Sequence, residues 1–523
     1  MVKIYRLKQD ETVKAVRKGS VTISIVGLGY VGLPLSALFA VEGAKVIGCD
    51  IDPKIVKLLN EGKSHIVEHD VASLLNEGAE MINHTCPNCG VRLLKYKDET
   101  FCPSCGRLAV VSSYGARLLE TAARAHSELI GRRTTLDSLV QRAVEAGRLH
   151  ATTDTTGAVR ESDVTLITVG TPLSERNEPN TAAIIGAGRA IGKGLTKDSL
   201  VILKSTVSPG TTEGIVKPIL EEESGLKAGS DFGLAHMPER IKEGHALLEF
   251  RTIPRIVGGV NRRSGEAAAA LFGVFPAPVH VFDSPRVTET SKLFENIYRD
   301  VNIALVNELA QVCERIHVDV MKAINAANTD PKTHLLTPGP GVGGYCLPKD
   351  TYYLAHPSQR ASFKPKMILL AREINDGMAN HIIDLVKECF AEMDKEIRGS
   401  KVAILGLAFK GNSGDLRNTP AYPILRGLIE LGAEIVAQDP FVDFDELRQR
   451  ISGLALTRDV KEAVGNADCA VLLTDHLEYR QIRAADLAKL MKRPSAFVDT
   501  RHIMEKENVT TAGIVYRGIG HGE

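Results

Sequence analysis

Residues 21–52, VTISIVGLGYVGLPLSALFAVEGAKVIGCDID, hold the reading on which the fold turns. A β-branched apolar run ends in three closely spaced glycines, Gly27, Gly29 and Gly32. A Leu/Ala-rich stretch of helical character follows, then a second apolar run that stops at Asp50. The order is buried strand, glycine turn, helix, buried strand. Further runs at 162–172 (SDVTLITVGTP) and 199–207 (SLVILKSTV) each follow a stretch of helical character, and residues 136–154 (LDSLVQRAVEAGRLHATTD) read as a helix of the same series. Strands alternating with helices predict a parallel, doubly wound sheet. A second series of the same kind runs through 401–411 (KVAILGLAFKG), 433–440 (AEIVAQDP), 467–476 (ADCAVLLTDH) and 495–503 (SAFVDTRHI). It lacks an intact GxGxxG, so it is not expected to hold a dinucleotide as the first does. The expectation is an α/β chain of two Rossmann-like domains, 20–284 and 398–515. A helical central region, 285–390, joins them, and its long spine helix spans VTETSKLFENIYRDVNIALVNELAQVCERI.

The chain has 523 residues, room for about three domains at roughly 100–200 residues each. Lys+Arg 64 equals Asp+Glu 64, so no basic surplus points to nucleic acid or an anionic membrane. No apolar run reaches the ~20 residues of a membrane span, and the polar start MVKIYRLKQDETVKAVRKGS does not read as a signal peptide. Of nine cysteines, four form two CPxCG pairs and five are scattered, a usage that suits a reducing, cytoplasmic setting.

The glycines sit at the spacing that lets a pyrophosphate approach a helix N-terminus, and Asp50 follows at the end of the next strand. An acid there accepts the ribose hydroxyls and repels a 2′-phosphate, which predicts NAD over NADP. Cys346 lies in the Gly/Pro-rich loop 337–350 (TPGPGVGGYCLPKD), where the glycines permit close approach of a substrate. Cysteine beside an NAD site suggests oxidation through a thiohemiacetal and thioester. Cys49, Cys313, Cys389 and Cys469 read as small buried hydrophobes. Lys292, Asn296 and Arg299 fall at i, i+4 and i+7, one stripe of the spine helix, either a solvated face or a surface for a hydroxyl and phosphates. In MPERIKEG (237–244), Glu239 and Arg240 offer either a general base or a helix-start Pro-Glu pair.

Cys86, Cys89, Cys102 and Cys105 form C-x2-C-x12-C-x2-C inside an apparent insertion, 77–133. Two such knuckles predict a zinc ribbon, with a rubredoxin-like iron site as the alternative. Four thiolates leave no open metal position, so a structural rather than catalytic zinc is expected.

In this order, GLGYVGLP, GCDID, TVGTPL, STVSPGTT, PERIKEG, KLFENIYRDVNIALVNELA, PGPGVGGYCLPKD, LGLAFKGNSGDLRNTPA and VLLTDHLEYR resemble the UDP-glucose/GDP-mannose dehydrogenase family over almost the whole chain. The resemblance implies a four-electron oxidation of a nucleotide-sugar C6 alcohol by two NAD. Cys346 matches the nucleophile, Lys292 the oxyanion or proton-exchange lysine, Asn296 its neighbouring sugar ligand and Glu239 the acid/base of hydrolysis. Asp350 and Thr206 match residues that position water. Gly27, Gly29, Tyr30, Val31, Gly32, Asp50, Lys54, Thr171, Thr206, Lys349 and Arg417 match the cofactor set. Arg240, Ile241, Lys292, Asn296, Arg299, Gly343, Phe409 and Lys410 match the substrate set. PER at 238–240, PGPGVGG and SHIVEHD (64–70) are similar to the branch acting on UDP-N-acetylhexosamines, which implies UDP-N-acetylmannosamine, then UDP-N-acetylglucosamine or UDP-glucose. Asp330, Lys332 and Tyr345 depart from that branch's pattern. The other readings are a two-electron hydroxyacid dehydrogenase, against which Cys346 and the second Rossmann series count, and an inactive zinc-ribbon binding protein. A homodimer or larger homo-oligomer through the spine helix is implied, with no membrane or nucleic-acid partner.

Overall fold

The structure is a computed structural model and describes residues 2–66, 80–85, 92–96, 99–101, 135–241 and 246–521. Two compact units result, one of Met1–Phe294 with Tyr352–Ser362, the other of Glu295–Thr351 with Phe363–Glu523. The helical segment 285–390 contributes to both.

The first unit is built on strands β1 (Thr22–Val26), β2 (Lys45–Cys49), β6 (Leu149–Thr152), β7 (Val164–Ile167), β8 (Leu200–Leu203), β9 (Gly233–His236), β10 (Arg255–Gly259) and β11 (Val279–Phe282). They lie in the order β11-β10-β9-β8-β7-β1-β2-β6, parallel throughout except for the β9–β10 pair. Between β2 and β6 in sequence, β3 (Glu80–Thr85), β4 (Arg92–Tyr96) and β5 (Glu99–Phe101) make a separate antiparallel sheet. The second unit carries β12 (Lys401–Leu405), β13 (Glu434–Gln438), β14 (Ala455–Thr457), β15 (Cys469–Leu472), β16 (Ala496–Asp499) and β17 (Val515–Gly518). Its order is β14-β13-β12-β15-β16-β17, all parallel. Counting from the first strand, the first six strands of the eight-stranded sheet and all six of the second lie in the order 3-2-1-4-5-6, the doubly wound arrangement in which a ligand crevice opens beside strand 1 where the winding reverses.

Two local readings change. Residues 136–154, expected as one helix, split into a helix Leu136–Glu145 and strand β6. Gly147 at φ +64° ends the helix, and the alternating Leu149-His150-Ala151-Thr152 then pairs in parallel with β2. Cys346 is not in a loop but is the first residue of a helix, Cys346–Arg360. The spine runs Pro285–Arg315, 31 residues, as its periodicity predicts. Residues ahead of β1, outside the expected domain, are part of the first unit's core. Ile4–Arg6 and the helix Gln9–Arg17 bury Ile4, Tyr5 and Val16, and the Tyr5 hydroxyl donates to Gly229 O at 2.7 Å. Gly233 in β9 has no side chain because the Tyr5 ring lies 2.6 Å from where a Cβ would stand.

The insertion is closed at its base. Ser64 N donates to Asp137 Oδ1 at 2.8 Å, and the helix Pro53–Asn60 packs on the helix Leu136–Glu145. Residues 67–79, 86–91, 97–98 and 102–134, with Cys86, Cys89, Cys102 and Cys105, lie outside the described residues. Among the described residues no helix is long and apolar enough to cross a membrane, and no cluster of three His, Cys, Asp or Glu side chains is placed to hold a metal.

Removing the Tyr5 ring leaves an aromatic-sized hole beneath β9. Tyr5→Ala is expected to cost about 3–5 kcal/mol, read as a lower urea midpoint; an unchanged midpoint would show the leading segment to be a passenger.

Candidate active site

The turn after β1 has the form a dinucleotide needs. Gly27 sits at φ +97°, with its N–H bonded to Cys49 O at 2.8 Å. A Cβ on Gly32 would stand 1.9 Å from Gly27 O, whereas one on Gly29 would meet nothing within 4 Å. The first and third glycines therefore serve the turn and the helix Gly32–Val41, and the second leaves the open approach for a pyrophosphate. Asp50, partly exposed, accepts Leu28 N through Oδ2 (2.8 Å) and Asp52 N through Oδ1 (3.0 Å). Beside it Ile51 is 96% exposed, an apolar platform suited to a planar base. Tyr30 and Val31 lie in the turn, and Lys54 lies in the first turn of the helix Pro53–Asn60, capped by Asp52. These residues fit NAD.

The loops after β7 and β8 are joined to each other. Thr171 Oγ1 donates to Thr206 O at 2.9 Å, Ser205 Oγ to Val169 O at 2.7 Å, and Tyr353 OH to Thr171 O at 2.8 Å. The spine anchors the second loop through a residue that sequence reading missed. Buried Glu289 accepts Gly210 N (2.5 Å), Thr212 N (2.8 Å) and Thr212 Oγ1 (2.6 Å), one turn before buried Lys292.

Glu239 is held from three sides. Its Oε1 accepts Arg240 N (2.8 Å) and Ile241 N (3.2 Å), and its Oε2 lies 3.1 Å from Lys204 Nζ. Lys204 is itself buried, 4.9 Å above the Phe272 ring, with Arg255 among Phe250, Phe272 and Phe275 close by. Burial works to raise the Glu239 carboxyl, but Lys204 and then Arg255 outweigh it and hold the group below the ordinary carboxylate range. Arg240 Nη1 donates to Pro254 O (2.9 Å), and residues 242–245 lie outside the described residues.

In the second unit Cys346 is exposed at the N-terminus of its helix, the end whose partial positive charge suits an anionic sulfur. Behind it runs a polar chain: Arg299 Nη2 to Asn296 Oδ1 at 2.7 Å, Asn296 Nδ2 to Asp350 Oδ2 at 2.5 Å, and Lys349 Nζ 3.9 Å from Asp350 Oδ1. Lys349 Nζ also lies 4.7 Å from the Tyr345 ring centre. Burial, with the nearby Cys346 and Asp350, pushes the Tyr345 phenol up. Of the polar stripe, Asn296 and Arg299 thus meet in the second unit, and Lys292 belongs to the first.

The loop that precedes Cys346 is framed by residues that no local pattern marks. Asn307 Oδ1 accepts Gly339 N (2.9 Å) and its Nδ2 donates to Asn375 Oδ1 (3.0 Å). Asn375 Nδ2 donates to the backbone and side chain of Asp300 (both 2.9 Å), and Asp300 also pairs with Arg372 at 2.5 Å. Gly343 and Gly344 press on Phe409, where added Cβ atoms would come within 2.4 and 2.9 Å of the ring side chain. Gly344 N donates to Arg417 O (2.8 Å), while the Arg417 guanidinium is bonded to Asp415. The loop therefore brings Gly343, Phe409 and Arg417 together, with Lys410 next in the chain.

Family models for the UDP-glucose/GDP-mannose dehydrogenase family match the NAD binding domain over residues 21–88 and 128–276, the central domain over 286–377 and the UDP binding domain over 403–506. The first passes over 89–127, where the cysteine insertion lies. The chain is 31% identical to UDP-N-acetyl-D-mannosamine dehydrogenase of Pyrococcus horikoshii over 96% of its own length and 99% of that protein's. The solved structure bearing that activity's name from the same organism superposes with a TM-score of 0.76 at 30% identity, covering 96% of this chain and 99% of that one. A UDP-glucose dehydrogenase of Pyrobaculum islandicum gives 0.75 at 25% identity, covering 96% and 98%. With a dinucleotide turn in one unit, a cysteine-bearing helix in the other and these matches across all three domains, the chain belongs to the UDP-glucose/GDP-mannose dehydrogenase family and is an NAD-dependent nucleotide-sugar dehydrogenase.

Proposed function

We propose that the chain oxidises the C6 alcohol of UDP-N-acetyl-D-mannosamine to a carboxylate through a thiohemiacetal and a thioester on Cys346. The observation that carries the chemistry is the exposed sulfur at a helix N-terminus, backed by the Arg299–Asn296–Asp350 chain. The sugar is favoured by relatives of that name in Pyrococcus horikoshii, Yersinia pestis and Campylobacter jejuni, each 31–32% identical over at least 88% of this chain.

The alcohol first loses a hydride and a proton to give the aldehyde. The Cys346 thiolate adds to the carbonyl carbon, forming a C–S bond and an oxyanion, whose charge or proton Lys292 handles while Asn296 orients the sugar. A second hydride then leaves the carbon as the adduct oxygen gives up its proton to Lys292, or leaves directly from the oxyanion, and the C=O bond re-forms as a thioester. Water placed by Asp350 and Thr206 then adds, the C–S bond breaks and the thiolate is regenerated. NAD, when bound along Gly27–Gly32 and Asp50, accepts one hydride at each oxidation. Glu239 takes the proton from water; its Lys204 pair favours the form that can do so. Phe409 and Lys410 grip the nucleotide, Arg240, Ile241 and Gly343 line the sugar, and Thr171, Lys349 and Arg417 complete the cofactor contacts.

Wild type is expected to release two NADH per UDP-N-acetylmannosamine. Cys346→Ser is expected to make no carboxylate while retaining NAD and UDP affinity, followed by absorbance at 340 nm and by calorimetry. Full two-NADH turnover by that variant would sink the covalent route, and a preference for UDP-N-acetylglucosamine or UDP-glucose in the same assay would reassign the sugar.

The chain is further read as a homodimer seated on the spine. Val287, Phe294, Tyr298, Leu305 and Val312 are all exposed, at intervals of 7, 4, 7 and 7, the seam of two packed helices. Sedimentation equilibrium of Tyr298→Glu/Leu305→Glu is expected to show monomers where wild type gives dimers; an unchanged wild-type monomer would refute this.

The four cysteines, Cys86, Cys89, Cys102 and Cys105, are read as a structural zinc site on spacing alone. Cys86→Ser/Cys89→Ser is expected to lose about one zinc per chain with turnover largely kept, measured by atomic emission. Retained zinc would disprove the ligands, and iron in wild type would replace the metal.

A further inference from the structure

Residues 407–412 (LAFKGN) leave β12 and turn across the end of the second sheet, carrying Phe409 and Lys410. Both ends of this turn are tied to buried side chains. At its start, Asp439 Oδ2 accepts Leu407 N at 2.7 Å and Ala408 N at 3.2 Å. At its close, Asn412 N donates to His476 Nδ1 at 2.9 Å, Gly411 N to Asp475 Oδ1 at 3.1 Å, and Leu477 N returns a bond to Asn412 Oδ1 at 2.9 Å. The other imidazole nitrogen, Nε2, lies 3.1 Å from the same Asp439 oxygen. One histidine ring therefore spans the two ends of the turn.

The donors decide its protonation pattern. A backbone N–H can only donate, so Nδ1 must present a lone pair, and a carboxylate can only accept from Nε2, so the ring proton is there. His476 and Asp439 are both fully buried, and the ring is fixed by Phe441 at 5.1 Å and by Tyr479, edge-on, at 5.3 Å. Asp439 is itself held, its Oδ1 accepting Phe441 N and Val442 N at 2.8 and 3.0 Å, and its carbonyl bonded to Arg458 Nη1 at 2.7 Å. The brace has nothing soft behind it.

We propose that His476 is a positioning residue for nucleotide-sugar binding: as the neutral Nε2–H tautomer it spans the 407–412 turn and sets where Phe409 and Lys410 stand. The proposal rests on the reading of that turn as the nucleotide grip. It assigns the two nitrogens separate tasks that side chains of different length can imitate. Asparagine places its carbonyl oxygen where Nδ1 lies and keeps the Asn412 bond. Glutamine places its amide where Nε2 lies and keeps only the Asp439 bond.

The test is calorimetric titration of the full chain with UDP, with NAD titrated as the control for the first unit. His476→Gln is expected to weaken UDP by about tenfold or more, with NAD affinity unchanged, a raised KM for the nucleotide sugar and kcat within about threefold. His476→Asn is expected to keep UDP affinity within about threefold. In wild type, long-range ¹⁵N–¹H spectra are expected to show an unprotonated Nδ1 and a protonated Nε2, a measurement that needs no variant to fold. Unchanged UDP affinity in His476→Gln, equal losses in both variants, or any other tautomer would overturn the brace. Lys410→Ala separates the two levels of the argument. If it leaves UDP affinity intact, the grip reading falls and takes the brace with it. If it weakens UDP while His476→Gln does not, only the brace falls.

Discussion

Each of the two Rossmann-like sheets repeats one hydrogen bond at its switch point, from the N–H after the glycine that follows strand 1 to a carboxylate just past strand 2. In the first sheet Leu28 N reaches Asp50 at 2.8 Å; in the second Leu407 N reaches Asp439 at 2.7 Å. The bond ties the turn after strand 1 to the end of strand 2, beside the crevice that the reversal of winding opens. What differs is the second half of the carboxylate's capacity. Asp50 stays partly exposed beside open space over Gly29, free to take ribose hydroxyls. Asp439 is sealed under His476 and the backbone of 441–442. One constraint used twice yields a dinucleotide site in one unit and a braced turn in the other.

Buried charge is the second theme. Glu239, Lys204 and Arg255 sit against a cluster of phenylalanines, and Asp300 and Arg372 pair with almost no exposure. Such groups add little net stability, because desolvation offsets their attraction, but removing one partner strands the other and costs several kcal/mol, about 3–5 in measured cases. Their value here is geometric. The first set fixes a carboxylate and the chain at 239–241, and the second fixes the helix that carries Asn296 against the helix Lys366–Glu392.

Much of this was legible in the sequence because it is local. The glycine turn, the strands on either side of it and the spine helix announce themselves by spacing within a few residues, and the structure follows them closely. The split of 136–154 was missed because a four-residue strand, Leu149–Thr152, carries too short an alternation to stand out after a helix. The helix beginning at Cys346 was signalled by Pro348 in its first turn, a helix-start residue. The clamps had no such signal. His476 meets Asn412 across 64 positions, Asn375 meets Asn307 across 68, and Lys204 meets Glu239 across 35. Partners that distant become neighbours only through the sheet order, so a single chain of letters does not pair them.

The clasp at the foot of the insertion has a consequence for how the enzyme could have acquired it. Ser64 and Asp137 are hydrogen-bonded across a separation of 73 residues, and the helices Pro53–Asn60 and Leu136–Glu145 on either side pack on each other. A chain segment whose ends already meet adds to the folding cost only through closure entropy, which grows by about 0.6 kcal/mol for each doubling of length. Such a junction is nearly indifferent to its cargo. A short connector or a longer cassette would leave the crevice beneath it equally well formed, so this edge of the first unit is a place where new recognition elements can be traded in and out while the oxidative chemistry stays as it is.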